Sequence, residues 1–498
     1  MTGPIDHRAF HVASAYNRVR SRLLSNDNAV ESMDTMNDSS NLASPTWQTS
    51  LQPKSSAAGI STYRIGLDLI GACVLGTCVL VATSLIGNSP ANGQTTPVAE
   101  AEQWPQWRGV DGDNHAPESA KVPLRWDFQS GYNIHWKVKI PGRGHSTPIV
   151  VDDGIFMTTA DSDAGTQSLI KVGLETGLVV DQWVIHRNTL PANIHPNNSF
   201  ASPSAAYDGE RVIVSFHTND AIWLTAMTTS GREEWRTKVC RFEPSMFQFG
   251  YGASPIIENG LVIVAAEYDG ADSGLYAFDC RTGKKVWKTK RPENLNFASP
   301  IVYTIAGQRQ ILLAGAEMIA AYDVTTGRLI WKVDTTTEAI CGTVVCDNRR
   351  VLVSGGNPKS GIWCVLADGS QKLLWDNNVK CYEQSLLTID NYVFAFADSG
   401  VAYCFRTADG KEMWKRRLFS GGISSSPVLV GDRIFVGDER GTIYVVKASP
   451  DRFELMGENP SGDSLFASPV VVSDRMYLRT ATGSGSDRQE YLVAIKSK

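Results

Sequence analysis

The side chains best suited to chemistry in this 498-residue chain stand singly, far apart in sequence. His145 and His195 lie 50 residues apart, and His217 follows. Imidazoles ligate metals or move protons near neutral pH. Carboxylates recur at wide intervals: Asp161, Glu267, Glu317, Glu383, Asp398 and Asp438. These are hard oxygen donors of the kind calcium takes. Arg143, Asn198 and Asn296 add polar groups, and Phe200, Tyr251, Phe297 and Phe466 add rings. Such a mixture can orient a polar ligand or a peptide segment if folding brings it to one mouth. Taken singly, each of these residues is ordinary loop chemistry. The chain has no P-loop, nucleophile elbow or HExxH motif. Its nine cysteines include no C-x-x-C pair and no zinc spacing, and their scatter leaves room for one or two bridges at most. A net charge of -5 and the lack of a basic-aromatic strip argue against nucleic acid as a partner.

What must position these residues is a repeat. The phrase A277-F-D-C-R-T-G-K-K-V-W287 reads as a strand, a Thr-Gly turn and a second strand ending on Trp. Gly283 fits a turn position that needs positive φ. The phrase returns at 321–331 and, more loosely, before Trp235, Trp375 and Trp414, at Trp spacings of 52, 44, 44 and 39. A second phrase, a hydroxyl residue then Pro opening an apolar strand, appears at Thr147-Pro148, Ser202-Pro203, Ser254-Pro255, Ser299-Pro300, Ser426-Pro427 and Ser468-Pro469. Two degenerate openings near Gly342-Thr343 and Gln384-Ser385 fill the one long interval and make eight units. Proline at the first residue of a strand costs no ladder bond. The period, with four short Val/Ile/Tyr/Phe-rich strands per unit, predicts an all-β chain: an eight-bladed β-propeller of four-stranded antiparallel blades.

The last unit stops one strand short at Tyr491–Ile495, and Ile134–Ile140 is the segment expected to supply it and close the ring. The blades then fall at about 141–190, 191–242, 243–292, 293–337, 338–381, 382–419 and 420–457, with 458–496 plus 134–140 last. In the seventh, F453-E-L-M456 stands where a Trp-bearing strand is expected. In a four-stranded blade the D-to-A and B-to-C connections share one face. The ligand-face candidates are therefore Arg143, His145, His195, Asn198, Phe200, Tyr251, Asn296, Phe297, Glu383 and Phe466 from D-to-A connections. Asp161, His217, Glu267, Glu317, Asp398 and Asp438 come from B-to-C connections. Before the propeller, 1–64 is polar and reads as disordered. Residues 65–87 are an apolar export signal or uncleaved membrane anchor, and 88–133 are a linker and structural lead-in opening on W104-P-Q-W-R-G109.

The phrase A-x-D-x-x-T-G-x-x-x-W resembles the tryptophan-docking repeat of the pyrroloquinoline-quinone-type propeller superfamily. That superfamily includes quinoprotein alcohol dehydrogenases and BamB-like exported propellers, and W104-P-Q-W-R-G109 resembles the opening of planctomycete exported members. The resemblance covers about 104–496. It implies that Trp136, Trp235, Trp287, Trp331, Trp375 and Trp414 dock between adjacent blades. It offers two functions. One is a noncatalytic, exported, monomeric scaffold in the periplasm or cell envelope that binds a protein or envelope component and needs no cofactor. The other is an alcohol or sugar dehydrogenase using pyrroloquinoline quinone (PQQ) and calcium on a small polar substrate. The dehydrogenases pair adjacent cysteines against the quinone, and this chain has no such pair. Its residues match no calcium Glu, Asn and catalytic Asp set, so the scaffold reading is preferred.

Overall fold

The computed structural model describes residues 103–245, 248–370 and 372–498. The expected signal or anchor at 65–87 and the disordered reading of 1–64 fall outside these residues. Among the described residues no helix is long and apolar enough to cross a membrane.

Thirty-two strands form eight four-stranded antiparallel sheets. In chain order the blades span 149–187, 206–241, 256–290, 301–334, 345–377, 387–417 and 428–460, and the eighth joins 470–495 to Ile134–Ile140. The N-terminal strand pairs antiparallel with Gln489–Ile495, so the ring closes as expected from the unfinished last unit. Strands B and C of each blade are buried on both faces and read as continuous apolar runs. Strand D is half-exposed and alternates, as in Lys285–Lys290. All seven cysteines of the described chain are free.

The docking girdle follows the phrase that announced it. Thr282 N–H and its hydroxyl both donate to Asp279 Oδ1, at 2.8 and 2.7 Å, and Gly283 sits at φ +66°. The ring of Trp235, one blade back, lies over Gly283, where an added Cβ would come within 2.6 Å of it. Trp136 covers Gly177, Trp287 covers Gly327 and Trp375 covers Gly410 in the same way. The indole N–H of Trp235 donates to Cys280 O (2.7 Å), that of Trp375 to Thr407 O (2.8 Å) and that of Trp414 to Ser449 O (2.8 Å). Most blades are thus latched to the turn of the next, whereas Trp331 of blade 4 keeps its indole N–H for Gln310 within its own blade.

Three corrections emerge. Trp183, in blade 1, covers Gly231 of blade 2 and is a docking residue that the phrase did not reveal. The fourth strand of blade 7 is Leu455–Pro460 rather than a segment at 453–456, which moves residues 458–460 out of the last blade. Gly457, opposite Val445, occupies the register that Trp287 holds opposite Ala277. In blade 2 the inner-strand opening is Ser204, not Ser202. The pairing of Ala206 with Ile213 matches that of Ile149 with Phe156, which aligns Ser204 with Thr147.

Candidate functional site

The inner strands open with hydroxyls, and these form a belt around the axis. Thr147 N–H donates to Ser204 Oγ (3.0 Å), Ser204 to Ser254 (2.9 Å) and Ser254 to Ser299 (2.8 Å). From the fifth blade on, Thr343 donates to Ser385, Ser385 to Ser426, Ser426 to Ser468, and Ser468 to Thr147 Oγ1 (3.1 Å). An inner strand has no neighbour on its axial edge, so its N–H groups need partners from the next blade. That is why Ser or Thr recurs at this position.

One end of the axial channel is filled by the lead-in. Trp104 exchanges backbone bonds with Val150 of blade 1 (2.8 and 3.0 Å), and Pro105 O accepts from Tyr207 N of blade 2 (2.8 Å). Gln106 Oε1 accepts from Ile257 N of blade 3 (2.8 Å), and Gly112 O accepts from Tyr303 Oη of blade 4 (3.1 Å). Trp107 Nε1 donates to Thr343 Oγ1 of blade 5 (2.8 Å). His115 Nε2 contacts Thr388 O of blade 6 (2.8 Å), Asn114 O accepts from Leu429 N of blade 7 (3.0 Å), and Lys121 N donates to Ser473 O of blade 8 (3.2 Å). The D111-G-D-N114 turn is spent here too: Asp113 caps His115 N (2.9 Å) and Asn114 is buried. Further on, Leu124 and Trp126 fill the notch left by Gly457. Trp126 N–H donates to Asn459 Oδ1 (3.1 Å), its indole donates to Ser461 Oγ (2.9 Å), and its ring stacks on Phe435.

The other end, where D-to-A connections gather, is an open cup of about 280 Å³. Trp107 and the hydroxyl belt lie at its base, and six of the sixteen predicted face residues line it: His145, His195, Asn198, Phe297, Glu383 and Phe466. His145 stacks on Phe466 with ring centroids 4.3 Å apart, and its buried Nε2 has no partner among the described residues. Burial, with Arg143, Arg479 and Arg488 nearby, holds its pKa well below the usual imidazole value, so the ring is neutral. His195 meets Phe249 edge-on, and Asn198 Nδ2 donates to Phe249 O (2.5 Å). Glu383 opens to the cup yet is walled by protein on its other sides. That enclosure raises its pKa, and Glu439 and Asp398 raise it further.

The other ten are placed elsewhere. Arg143 pairs its backbone with Ala160 and reaches Pro196 O at the rim. Phe200 is half-buried in the blade 1–2 core, and Tyr251 is buried with its hydroxyl on Ala265 O. Asn296 and Glu267 form a buried network: Glu267 binds Arg291 (2.7 Å) and accepts from Asn296 (2.6 Å). Asp438 is buried and accepts from Thr442 N, and Asp398 accepts from Tyr382 N and pairs with Lys380. His217 packs edge-on against Phe242. Asp161 caps its own turn, and Glu317 is exposed with φ +61°. Four of these five B-to-C carboxylates are thus engaged by structural partners, Glu317 is exposed, and none of the five lines the cup. Sequence reasoning missed Trp107, Phe249, Cys341, Tyr382 and Ser424 in the lining. The repeated hydroxyl before proline was the available signal for the belt.

This lining does not suit the quinone. Pyrroloquinoline quinone carries three carboxylates and needs cations, whereas the cup lining contains one carboxylate and no Lys or Arg among the described residues. Those residues also hold no group of three or more His, Cys, Asp or Glu able to hold a metal ion. Cys341 is single, and burial pushes its thiol well above the usual value, the reverse of a reactive thiolate.

A family model described as outer membrane protein assembly factor BamB matches residues 223–416 and 397–489, together more than half of the chain. The BamB of Bordetella pertussis is 20% identical over 362 residues, covering 68% of this chain and 81% of that protein. The BamB of Burkholderia pseudomallei is 22% identical over 357 residues, covering 69% and 83%. The crystal structure of BamB from Moraxella catarrhalis superposes with a TM-score of 0.52 at 16% identity, covering 72% of this chain and 98% of that one.

Proposed function

We propose that this chain, which belongs to the family described as outer membrane protein assembly factor BamB, is a noncatalytic, exported scaffold that binds a protein of the cell envelope. The observation that carries this is the asymmetry of the axial channel. One mouth is filled by the chain's own lead-in, and the other presents an aromatic cup. A cup walled by rings and floored by hydroxyls is the kind of concavity in which a partner's side chain is held. The relatives named for outer-membrane assembly support an envelope partner. The apolar run at 65–87 supports export, as a cleaved signal or a retained anchor.

The test is affinity capture from a cell-envelope extract with the wild-type propeller and with Phe466→Ala, combined with fractionation and N-terminal sequencing. The wild type is expected outside the cytoplasm and to retain a reproducible partner that Phe466→Ala loses. An intact cytoplasmic propeller, or alcohol oxidation after reconstitution with quinone and calcium, would sink the reading.

A further inference from the structure

We propose that the axial cup receives a single basic side chain, arginine or lysine, presented by the protein partner. The inference rests on the scaffold reading above and names the chemistry of the contact. Three observations carry it. Glu383 is the one formally charged group in the described lining. It is also short of partners. Ser424 is within hydrogen-bonding reach of both Glu383 and Glu439, to which it donates at 2.7 Å, and with one proton its hydroxyl serves only one carboxylate at a time. Lys380, the basic residue that acts on Glu383, is held by Asp398 at 3.3 Å. Finally, the walls are aromatic: Trp107, Phe249, Phe297, Tyr382 and Phe466.

A carboxylate on the wall of a ring-lined cup matches a cation on a long apolar stem. The rings attract the charge through their faces and take the methylene stem in contact. The carboxylate supplies a charge-assisted hydrogen bond. A carboxylate ligand would instead face Glu383 and the neighbouring Glu439 and Asp398, all of one sign. The wall between blades 8 and 1 behaves differently. Arg143, Arg479 and Arg488 stand near His145 there, with Glu490 pairing the last two. A basic group is therefore drawn to the blade 6–7 side. The cup volume, about 280 Å³, suits one or two side chains rather than a folded element.

The experiment uses the full chain with N-acetylarginine amide as the probe. N-acetylcitrulline amide has the same shape without the charge, and N-acetylglutamate amide carries the opposite charge. Binding is read by saturation-transfer NMR and by the fluorine resonances of fluorotryptophan-labelled protein, where Trp107→Phe identifies the signal of the cup base. The expected result is saturable millimolar binding of capped arginine, about tenfold tighter than capped citrulline, with a shift of the Trp107 signal. Glu383→Gln, nearly isosteric and checked by an unchanged fold in circular dichroism, is expected to erase that tenfold preference. Equal binding of citrulline, indifference to Glu383→Gln, or no saturable binding of capped arginine overturns the inference. The two levels separate cleanly. If the wild type and Glu383→Gln capture the same envelope protein equally well, the basic-side-chain contact falls and the scaffold stands. If neither captures a partner, the scaffold reading falls whatever the capped arginine does.

Discussion

The two mouths of the axial channel are made from the two ends of the same eight inner strands, and they are finished in opposite ways. At one mouth the lead-in from Trp104 to Lys121 hydrogen-bonds to all eight blades in turn. At the other, the D-to-A connections leave phenylalanines, two histidines and Glu383 facing an open cup, with Trp107 of the lead-in at its base. The difference teaches where spare chemistry survives. Axial strand edges must have their N–H and C=O groups paired. Where the chain supplies the partners, aromatic and polar groups are consumed in packing. Where the hydroxyl belt already supplies them, side chains beyond the belt are left to face a ligand.

The largest expected effect comes from breaking the closed mouth. Trp104 and Trp126 are almost fully buried. Trp104→Ala at this mouth is expected to cost about 3–5 kcal/mol, seen as a large fall in urea midpoint, and Trp126→Ala in the blade 7 notch a similar amount. His195→Ala at the open mouth is expected to change that midpoint by less than about 1 kcal/mol.

A smaller effect tests how the notch in blade 7 is filled. Restoring the repeat with Gly457→Trp would look favourable from the sequence, but a Cβ there meets Leu124 O at 2.6 Å. We expect a loss of about 1–3 kcal/mol from overpacking. A gain in melting temperature would show that the lead-in is a dispensable filler.

The histidines sharpen the comparison through pH. His217, at the open-face end of its strand, and His186 are held neutral by burial, with pKa values lowered from 6.5 to about 4, and His145 is lowered as well. The unfolded chain binds these protons at higher pH than the fold does. Their stability contribution is therefore present above pH 6.5 and lost as pH falls toward 4. Urea stability measured from pH 7 to 5 should decline, and His145→Gln should reduce the slope by up to about one proton. An unchanged slope would show that His145 is protonated in the fold.

The smallest effect has the opposite sign. The Glu383 carboxyl is raised above its ordinary 4.5, so the fold favours its protonated form, and stability is lost as pH rises through that range. Glu383→Gln should be slightly more stable at neutral pH, by under about 1 kcal/mol because the group opens to water in the cup. The gain should vanish below pH 4.5. A destabilised Gln variant at neutral pH would mean that Glu383 already has a partner.

Much of this architecture could be read in advance. The turn at Thr282-Gly283 needs a positive φ and a short Asp side chain at 279, so the motif survives in recognisable form. The same period exposed the unfinished last blade and its closing strand Ile134–Ile140. Trp183 escaped because Gly173 stands where the phrase has Asp and Trp183 lies six residues past Gly177 rather than four, yet it packs over Gly231 and on the core between blades 1 and 2. Of the carboxylates, Glu383 reached the cup while Glu267 and Asp438 were absorbed by Arg291 and by their own turns. Those partners lie 24 and 4 residues away in sequence, and nothing local distinguishes one carboxylate from another.

The chain by itself determined the blade count, most of the docking girdle and the need for a closing strand, because each follows from a local pattern repeated around the ring. Tertiary structure alone decided what the lead-in does and which side chains meet. A nonrepeated segment has no second copy to reveal its role, and Trp107 comes to Thr343 across 236 residues of sequence. The cup exists only where eight strand openings converge on one axis, a distance relation that no stretch of the chain contains.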